Sequence, residues 1–407
     1  MVEIKEKKDC CGCNACVQKC PKQCISLKED FEGFLYPIVD KATCIDCGLC
    51  EKVCPVLHQN EPREPLKVYA AKNYNEEIRK QSSSGGIFTL LAEKIIQESG
   101  VVFGARFDEN WEVRHDYTET IEGLAAFRGS KYVQSRIEDN YLKAETFLKQ
   151  GRKVLFSGTP CQIAGLKRFL RKEYENLLTV DFICHGVPSP GVWRRYLQET
   201  VVRMCDKNSV STDPISIEKA RIESISFRDK ESGWKKYSFT LTLSATTWSG
   251  VKNTVSLSEV FPKNTFMKGF LADLYLRPSC YACPAKCGKS DSDITIGDFW
   301  GIQNYYPELD DDKGISLLII SNKNCKDLLL QVQLYEQKEI QHVYFKSVNC
   351  PSEREKFFLK ETCIYDRINK LCQNTKLTII KKMIIRILDF LGVLNIFKRI
   401  KRNIELL

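Results

Sequence analysis

The chain has 407 residues, of which 43% are hydrophobic and 28% are charged, and its formal net charge is +9. This length and composition exclude a small single module and a disordered chain, and they are typical of a globular protein of two or three domains. The absence of a run of about 18 uncharged apolar residues argues against a spanning helix. The polar start "MVEIKEKKD" has no hydrophobic signal core, so we predict a cytoplasmic protein.

The net charge is unevenly distributed along the chain. Residues 373–407 contribute +6 of the total of +9, and the remainder is close to neutral once ligand cysteines are counted as thiolates. No recognised nucleic-acid-binding module accompanies the basic segment, so we predict no nucleic-acid partner.

The first predicted unit is defined by its cysteines. The pattern C-x2-C-x2-C-x3-C-P occurs twice, as Cys10, Cys13, Cys16 and Cys20 and as Cys44, Cys47, Cys50 and Cys54. Bacterial two-cluster ferredoxins have this pattern, and the fourth cysteine of each run binds the other cluster. It predicts one 4Fe-4S cluster on Cys10, Cys13, Cys16 and Cys54 and another on Cys44, Cys47, Cys50 and Cys20.

The alternative for these cysteines is zinc, which uses pairs of C-x2-C separated by a dozen or more residues. The spacing disfavours zinc, and a dicluster ferredoxin domain is predicted for residues 1–60. Gly12 and Gly48 suit the close backbone turns of the cluster loops. Cys11 and Cys24 fall outside the pattern, and we predict that they are packed thiols.

A Ser/Gly-rich loop follows a polar linker at 58–67. Ser82–Gly86 precede a periodic apolar run that predicts a helix, and Gly100 then separates this helix from the strand "VVFGARF". Such a loop presents N–H groups and hydroxyls to the phosphates of a nucleotide cofactor. A well-capped helix without a ligand is the alternative.

The next segments predict strand–helix alternation. "KVLFSG" is predicted as a strand and "CQIAGLKRFL" as a helix that Thr159 and Pro160 begin, with a helix dipole that lowers the pKa of Cys161. "LLTVDFICHG" is a second strand, ending at Cys184. These units predict an α/β domain with ligands at strand ends, whereas 215–260 predict an inserted antiparallel hairpin or meander.

A second group of cysteines follows, in "RPSCYACPAKCGKSDSDITIGDFWG". It provides Cys280, Cys283 and Cys287, and the strand-end cysteines Cys161 and Cys184 are the distant candidates to complete a four-ligand site. A structural zinc is the alternative to a third cluster. Asp298, after the predicted strand "ITIG", either caps a turn or faces a cofactor hydroxyl.

In this order, the motifs "SSSGGIF", "GSKYVQS", "SGTPCQIAGL", "ICHGVPS" and "DITIGDFWG" resemble the family of coenzyme F420 hydrogenase/dehydrogenase beta subunits. The similarity covers roughly residues 1–345 and is greatest to the bacterial branch with a fused dicluster ferredoxin. It implies an FAD-containing iron–sulfur flavoprotein with a third 4Fe-4S cluster near the flavin. Residues 61–372 would then form the flavin domain.

By position, the resemblance implies that Ser83, Ser84, Gly85 and Gly86 bind FAD phosphates and that Lys131 lies near the flavin. Thr159 is a further cofactor-binding candidate. The recurrent cysteines of the family correspond to Cys161, Cys184, Cys280 and Cys283, and Cys287 competes for one of these places. The fold prediction is therefore a multidomain α+β and α/β protein: a dicluster ferredoxin-like domain, then a mixed α/β flavin domain with an inserted antiparallel element.

The last segment, 373–407, has apolar residues at intervals of three and four and a basic face. It predicts an amphipathic helix that binds an anionic membrane surface, which would make the protein peripheral at the inner face of the membrane. A C-terminal helix packed on the domain or on a partner is the alternative.

These features together predict an oxidoreductase. Electrons would pass between a ferredoxin-like donor or acceptor, the clusters and FAD, with two-electron or hydride transfer to a small organic substrate or a deazaflavin. One alternative is an electron-transfer subunit that docks on a separate enzyme and has no substrate of its own. Another is a zinc-containing binding protein that has lost its flavin site.

Overall fold

The computed structural model describes residues 1–208, 220–246, 252–322, 333–336, 351, 353–358, 363–369 and 371–372. Thirteen strands lie in these ranges: β1 Ile25–Glu29, β2 Leu35–Val39, β3 Lys67–Lys72, β4 Val101–Phe107, β5 Val113–Thr118, β6 Val154–Ser157, β7 Leu177–Phe182, β8 Arg221–Asp229, β9 Ser238–Thr246, β10 Lys252–Val260, β11 Ile294–Asp298, β12 Ser316–Ile320 and β13 Gln333–Glu336.

The same described ranges contain the α-helices α1 Ala15–Lys19, α2 Leu49–Lys52, α3 Glu76–Gln81, α4 Ile87–Gln97, α5 Asn140–Lys149, α6 Pro160–Leu170, α7 Pro190–Asn208, α8 Thr265–Leu271 and α9 Glu353–Phe358, and residues 364–369 and 371–372 are also helical. Short 3-10 helices include Pro278–Ala282, which carries Cys280. The predicted tail helix, 373–407, lies outside the described residues.

The N-terminal region contains the two short helices α1 and α2 and the antiparallel pair β1–β2. Each helix begins after a residue with positive φ, Asn14 at 62° and Gly48 at 69°. These turns bring successive cysteines onto the inside of each loop, and the hairpin covers one side.

The larger region is built on an eight-stranded mixed sheet with the order β13-β3-β12-β11-β7-β6-β4-β5. Strands β4, β6, β7 and β11 are mutually parallel, and β5 and β12 pair antiparallel to their neighbours. Successive residues of the buried strands face opposite sides. Val102 and Leu155 pack in the core that contains α4, whereas Phe103 and Phe156 pack in the core that contains α5 and α6.

The ferredoxin-like region packs on the α5/α6 side of this sheet. Cys11, Cys13 and Ala15 belong to the same buried core as Phe103 and Leu166. A Cβ on Gly165, in α6, would lie 2.7 Å from the Cβ of Cys13. Only a glycine in α6 therefore lets the first cysteine loop approach so closely.

Three antiparallel strands, β8, β9 and β10, form a separate sheet between α7 and α8. It packs through an aromatic core that includes Trp193, Phe227, Phe239 and Phe266. The predicted antiparallel insertion is thereby confirmed as a three-stranded meander. In the part of the chain that is described, no helix combines the length and apolar character needed to cross a bilayer.

The parallel strands place their carboxyl ends at one edge of the main sheet. Thr159 and Cys161 follow β6, Cys184 follows β7, and Asp298 ends β11. The start of β12 pairs with the end of β3, with Ser316 opposite Ala71, so the loop that follows α3 reaches this edge as well. Crevices outside the carboxyl ends of parallel strands are the usual ligand sites of such sheets.

Candidate functional site

The first set of converging cysteines is the one predicted across the two repeats. Burial, with repulsion from the thiolates of Cys10 and Cys54, raises the pKa of Cys16 to about 12. Burial and Cys10 raise the pKa of Cys54 in the same way, and Cys13 is within electrostatic range of Cys16 and Cys54. The structure therefore brings the fourth cysteine of the second run to three cysteines of the first.

The second set lines one concavity of about 350 Å³, which contains Cys20, Cys44, Cys47 and Cys50. Cys47 is exposed, so this set reaches the protein surface. Backbone amides point at its sulfurs: Val2 N–H donates to Cys50 Sγ at 3.2 Å, and Asp46 N–H donates to Cys44 Sγ at 3.4 Å. Such N–H···S contacts adjust the potential of an iron–sulfur cluster.

The two cysteines outside the repeats are buried, as predicted. Cys24 lies beside the second set, with its Sγ 3.3 Å from Cys20 Sγ. Cys11 lies against the thiols of both Cys13 and Cys161. Cys11 is therefore the point at which the first cysteine set meets the main sheet, a role that its spacing in the sequence did not indicate.

A third set forms at the carboxyl edge of the main sheet from Cys161, Cys184, Cys280 and Cys283. Each pair among these four residues lies within electrostatic range. Burial and neighbouring thiolates raise the pKa of Cys280 to about 12 and that of Cys283 to about 11. Val187 N–H donates to Cys280 Sγ at 3.4 Å.

The predicted effect on Cys161 was wrong. Its pKa is raised well above the usual range by the neighbouring Cys11 thiol and by burial. Helix α6 does begin as predicted: Thr159 accepts a hydrogen bond from Gln162 N–H, and Pro160 follows it. The Thr159 hydroxyl lies 3.2 Å from Cys161 Sγ. Desolvation and the nearby thiol outweigh the helix dipole here.

Cys287, the competitor for the third set, lines a concavity of about 320 Å³ together with Cys184, Asp181 and Lys286. Its backbone has φ 61°, and its carbonyl accepts a hydrogen bond from Arg63 N–H. This concavity lies beside the third set. The mutual proximity of Cys161, Cys184, Cys280 and Cys283 thus favours those four as a set.

These three sets fit the donor chemistry of 4Fe-4S clusters. Clustered, buried thiols with raised pKa values repel one another as thiolates, and iron supplies the positive charge that offsets this repulsion. Among the described residues, no group of three or more His, Cys, Asp or Glu side chains is arranged to hold a single metal ion.

The Ser/Gly loop begins α4, as predicted, with Gly86 at φ 80°. Two of its groups hold the loop to the start of β12 and the residue before it: Ser84 Oγ donates to Ile315 O, and Gly85 N–H donates to Ser316 Oγ. Ser83 Oγ instead accepts hydrogen bonds from the backbone N–H and the hydroxyl of Ser130. Its own proton remains available to a ligand.

Lys131, next to Ser130, is half-buried at the same edge. Its ammonium group donates to Arg128 O at 2.9 Å and to Gly129 O at 3.2 Å. Burial, with repulsion from Arg106, lowers the pKa of Lys131 to about 7. When it is protonated, the Lys131 ammonium has three protons, so one remains for a ligand. The concavity of the second cysteine set and the one that contains Cys184 and Cys287 are not lined by Ser83–Gly86 or by Lys131.

The antiparallel insertion contributes residues to this edge that the sequence did not single out. Arg228 makes a bidentate ion pair with Asp298, with N···O distances of 2.8 and 3.2 Å, and it donates a hydrogen bond to Ser83 O at 3.1 Å. Trp234 donates to the same carboxylate, and its ring stacks on Trp300 with centroids 4.2 Å apart. Asp298 thus anchors an arginine rather than capping a turn.

Aromatic contacts connect the third cysteine set to the Ser/Gly loop. His185 follows Cys184, and its ring lies 4.9 Å from that of Phe270. Phe270 stacks on Tyr132 at 4.7 Å, and the Tyr132 hydroxyl accepts a hydrogen bond from Arg228. The third set and the loop are therefore neighbours along one edge.

Three family models match the chain. The model for the N-terminus of the coenzyme F420 hydrogenase/dehydrogenase beta subunit matches residues 68–139, and the model for its C-terminus matches residues 151–343. Together they cover more than half of the chain. A 4Fe-4S dicluster domain model matches residues 9–57, so this region binds two 4Fe-4S clusters.

Several known proteins are similar to the chain. One subunit of the F(420)H(2) dehydrogenase of Methanosarcina mazei is 23% identical over 203 residues, which are 45% of this chain and 55% of the relative. An uncharacterised protein of Methanocaldococcus jannaschii is 24% identical over 212 residues, or 43% and 56% of the two chains. The 7Fe ferredoxin of Hydrogenibacillus schlegelii is 42% identical over 62 residues, or 14% and 73%.

The chain thus spans about half the length of the first two of these relatives. A chain in a solved structure, the xenon-derivatised F420-reducing [NiFe] hydrogenase complex from Methanosarcina barkeri, is 18% identical, with a TM-score of 0.43 over 77% of this chain and 92% of that one. The two family models and the dicluster domain lie in the order that the sequence motifs predict. This chain is a member of the family of coenzyme F420 hydrogenase/dehydrogenase beta subunits, with an N-terminal 4Fe-4S dicluster domain.

Proposed function

We propose that this protein is an iron–sulfur flavoprotein oxidoreductase. Electrons pass between a ferredoxin-type partner, three 4Fe-4S clusters and FAD, and the last step is two-electron or hydride transfer with an organic substrate, such as a deazaflavin. The observation that carries this proposal is the convergence of Cys161, Cys184, Cys280 and Cys283 between the ferredoxin-like region and the Ser/Gly loop.

The order of the cysteine sets supports a direction through the protein. The second set reaches the protein surface, because Cys47 is exposed. Cys50 is within electrostatic range of Cys16 and Cys54, so the second set adjoins the first. Cys11 joins the first set to the third. The chain therefore arranges its thiols in a row from the surface to the carboxyl edge of the main sheet.

The carboxyl edge has groups suited to FAD. The Ser83 hydroxyl and the Lys131 ammonium each retain a proton for phosphate or flavin oxygens. Among the described residues, the buried Nε of Arg228 has no hydrogen-bond partner. Trp300 is 47% exposed while stacked on Trp234, and it offers a flat face to a conjugated ring. When bound, FAD would supply the conversion between one-electron and two-electron chemistry.

Within this site, we assign separate tasks to the residues of the chain. Ser83 and Lys131 would hold the anionic parts of the cofactor, and the charge of Lys131 would stabilise the anionic reduced ring. Asp298 fixes the Arg228 guanidinium through both of its oxygens, so the arginine approaches the site in one orientation. The aromatic neighbours Tyr132 and Phe270 would limit the access of water between this site and Cys184.

The proposal is tested by electron transfer into bound flavin. Anaerobic protein is mixed with reduced ferredoxin, and reduction of the flavin is followed by its visible absorbance. Wild type should reduce its flavin, whereas Cys283→Ser should bind flavin but reduce it much more slowly. Equal rates in the two proteins would contradict passage through the third set. Absence of flavin from wild type would contradict the flavoprotein assignment.

A second candidate function is that of an electron-transfer subunit with no substrate of its own. A similar protein is named as one subunit of an F(420)H(2) dehydrogenase, and this favours docking on a separate enzyme. In that case ferredoxin would reduce the flavin, but free deazaflavin and other small acceptors would not reoxidise it. Reoxidation by a free organic acceptor would exclude this candidate.

A further inference from the structure

Arg277 is a buried cation at the junction between the ferredoxin-like region and the main sheet. It is 1% exposed and lies just before the 3-10 helix that carries Cys280. The acidic groups that act on it most strongly are Cys10, Tyr36, Cys11 and Cys280, in that order, and its backbone carbonyl accepts a hydrogen bond from Cys280 N–H at 2.9 Å. Its guanidinium therefore faces a ligand of the first cysteine set and a ligand of the third.

All three nitrogens of the guanidinium make contacts, two with the ferredoxin-like region and one with Gln134. Nε donates to Cys10 O at 2.7 Å, and Nη2 donates to Leu35 O at 2.9 Å and contacts Cys10 Sγ at 3.6 Å. Nη1 donates to Gln134 Oε1 at 2.8 Å. The guanidinium carbon lies 4.4 Å from the centre of the Tyr36 ring. These contacts hold the charge in one place.

Among the described residues, no carboxylate lies within salt-bridge distance of Arg277. This distinguishes it from the buried Arg79 and Arg228, which pair with Asp311 and Asp298, and from the largely buried Arg354, which pairs with Glu32. Burying an unpaired guanidinium is costly, and proteins offset such a charge with an opposite one. The negative partners available here are the cysteine thiolates and the clusters that they bind.

We infer that Arg277 sets the reduction potentials of the first cluster and of the third. The part that concerns the third cluster rests on the proposed function. A cluster gains one negative charge when it is reduced. A fixed positive charge in a buried, low-dielectric position stabilises the reduced form more than the oxidised form and raises the potential. Arginine stays protonated at every accessible pH, so this effect is permanent.

The position of Arg277 gives this effect a direction. It contacts the first set at Cys10 and acts on Cys280 of the third, whereas the acidic groups that act on it most strongly include no cysteine of the second set, in which Cys47 is exposed. The potentials of the inner clusters are therefore raised relative to that of the exposed cluster. Electrons that enter at the exposed cluster are drawn towards the main sheet.

Three variants test the inference in the intact, cluster-loaded protein. Arg277→Gln removes the charge, and Arg277→Lys keeps it. Gln134→Glu keeps the arginine but places a carboxylate against its Nη1, which neutralises the charge. This variant therefore tests the inference even if Arg277→Gln fails to fold. Midpoint potentials are measured by anaerobic titration with electron paramagnetic resonance detection, and the second cluster is the internal reference.

In Arg277→Gln and Gln134→Glu, we expect the equilibrium constant for electron transfer from the first cluster to the second to increase at least tenfold. For a one-electron couple this is a decrease of about 59 mV in the first potential. Arg277→Lys should stay near wild type. An unchanged first potential in the two neutralising variants would overturn the inference, and so would an equal shift in Arg277→Lys, because geometry rather than charge would then be responsible.

The outcome is separable from that of the proposed function. If wild type contains only the two ferredoxin-type clusters, the third-cluster proposal fails, but the effect of Arg277 on the first cluster is still measured. If three clusters are present and none responds to the variants, the proposed function stands and the role of Arg277 is rejected.

Discussion

The thiol of Cys11 lies against the thiol of Cys161, although one belongs to the first cysteine loop and the other to the first turn of α6. This contact brings the first cysteine loop, which packs on the α5/α6 side of the main sheet, to the carboxyl edge of that sheet. It also makes the first cysteine set, rather than the exposed second set, the neighbour of the third. The functional proposal depends on this order.

Loss of one cysteine from the third set should remove one cluster. Cys283→Ser should lower the iron content by about four per chain and leave the N-terminal clusters intact, because Cys283 lies close to Cys161 and Cys184. Cys287→Ser is the matched control and should retain all of its iron. Iron analysis of both variants decides this. Unchanged iron in Cys283→Ser would refute the third cluster, and loss in Cys287→Ser would show that the set is wrong.

The two cluster-loop glycines should differ in their tolerance of alanine. A Cβ on Gly12 would lie 2.7 Å from Gln134 Nε2 and 2.8 Å from Arg277 Nη1, whereas a Cβ on Gly48 meets no atom within 4 Å. Both have positive φ, so Gly48→Ala should cost about 1 kcal/mol and Gly12→Ala about 2–4 kcal/mol. Denaturant unfolding of both variants measures the difference. Equal destabilisation would mean that the first loop does not rest on Arg277.

His115 should make stability dependent on pH in mildly acidic solution. Burial lowers the pKa of His115 to about 4, from the usual 6.5. The unfolded chain therefore binds a proton as pH falls below 6.5 while the folded chain does not, so stability is full above this pH and decreases below it. The loss should reach about 1.4 kcal/mol at pH 5.5. His115→Gln should have a correspondingly flatter unfolding profile between pH 7.5 and 5.5. An equally flat profile in wild type would contradict the assigned pKa.

The basic tail gives a prediction from sequence alone, since 373–407 lie outside the described residues. Deletion of 376–407 should abolish binding to anionic vesicles, because it removes the basic and apolar faces of the predicted helix. Iron and flavin contents should not change. Vesicle sedimentation measures the binding, with neutral vesicles as the control. Retained binding to anionic vesicles would exclude the membrane role of this segment.

The spacing of cysteines and the periodicity of strands and helices predicted much of this architecture. The two cysteine runs, the helix after Gly86, the helix begun by Thr159 and the antiparallel insertion all depend on local sequence, and the structure confirms these elements. The crossed arrangement of Cys54 with Cys10 and Cys16 followed from the repeat itself.

Other features depend on contacts between distant segments and could not be read from the sequence. Cys11 had no ligand spacing, and only the packing of α6 on the first loop places it beside Cys161. The pairing of Arg228 with Asp298 joins the insertion to β11, so neither residue alone indicated it. The pKa of Cys161 was predicted in the wrong direction because its buried thiol neighbours come from other parts of the chain.

The most direct test of the central claim is the cofactor content of protein purified without oxygen. Iron, zinc and flavin are quantified on the same sample, and the visible spectrum is recorded. We expect about twelve irons and one FAD per chain. About eight irons with zinc and no flavin would contradict it and would indicate a dicluster ferredoxin fused to a zinc-containing binding domain.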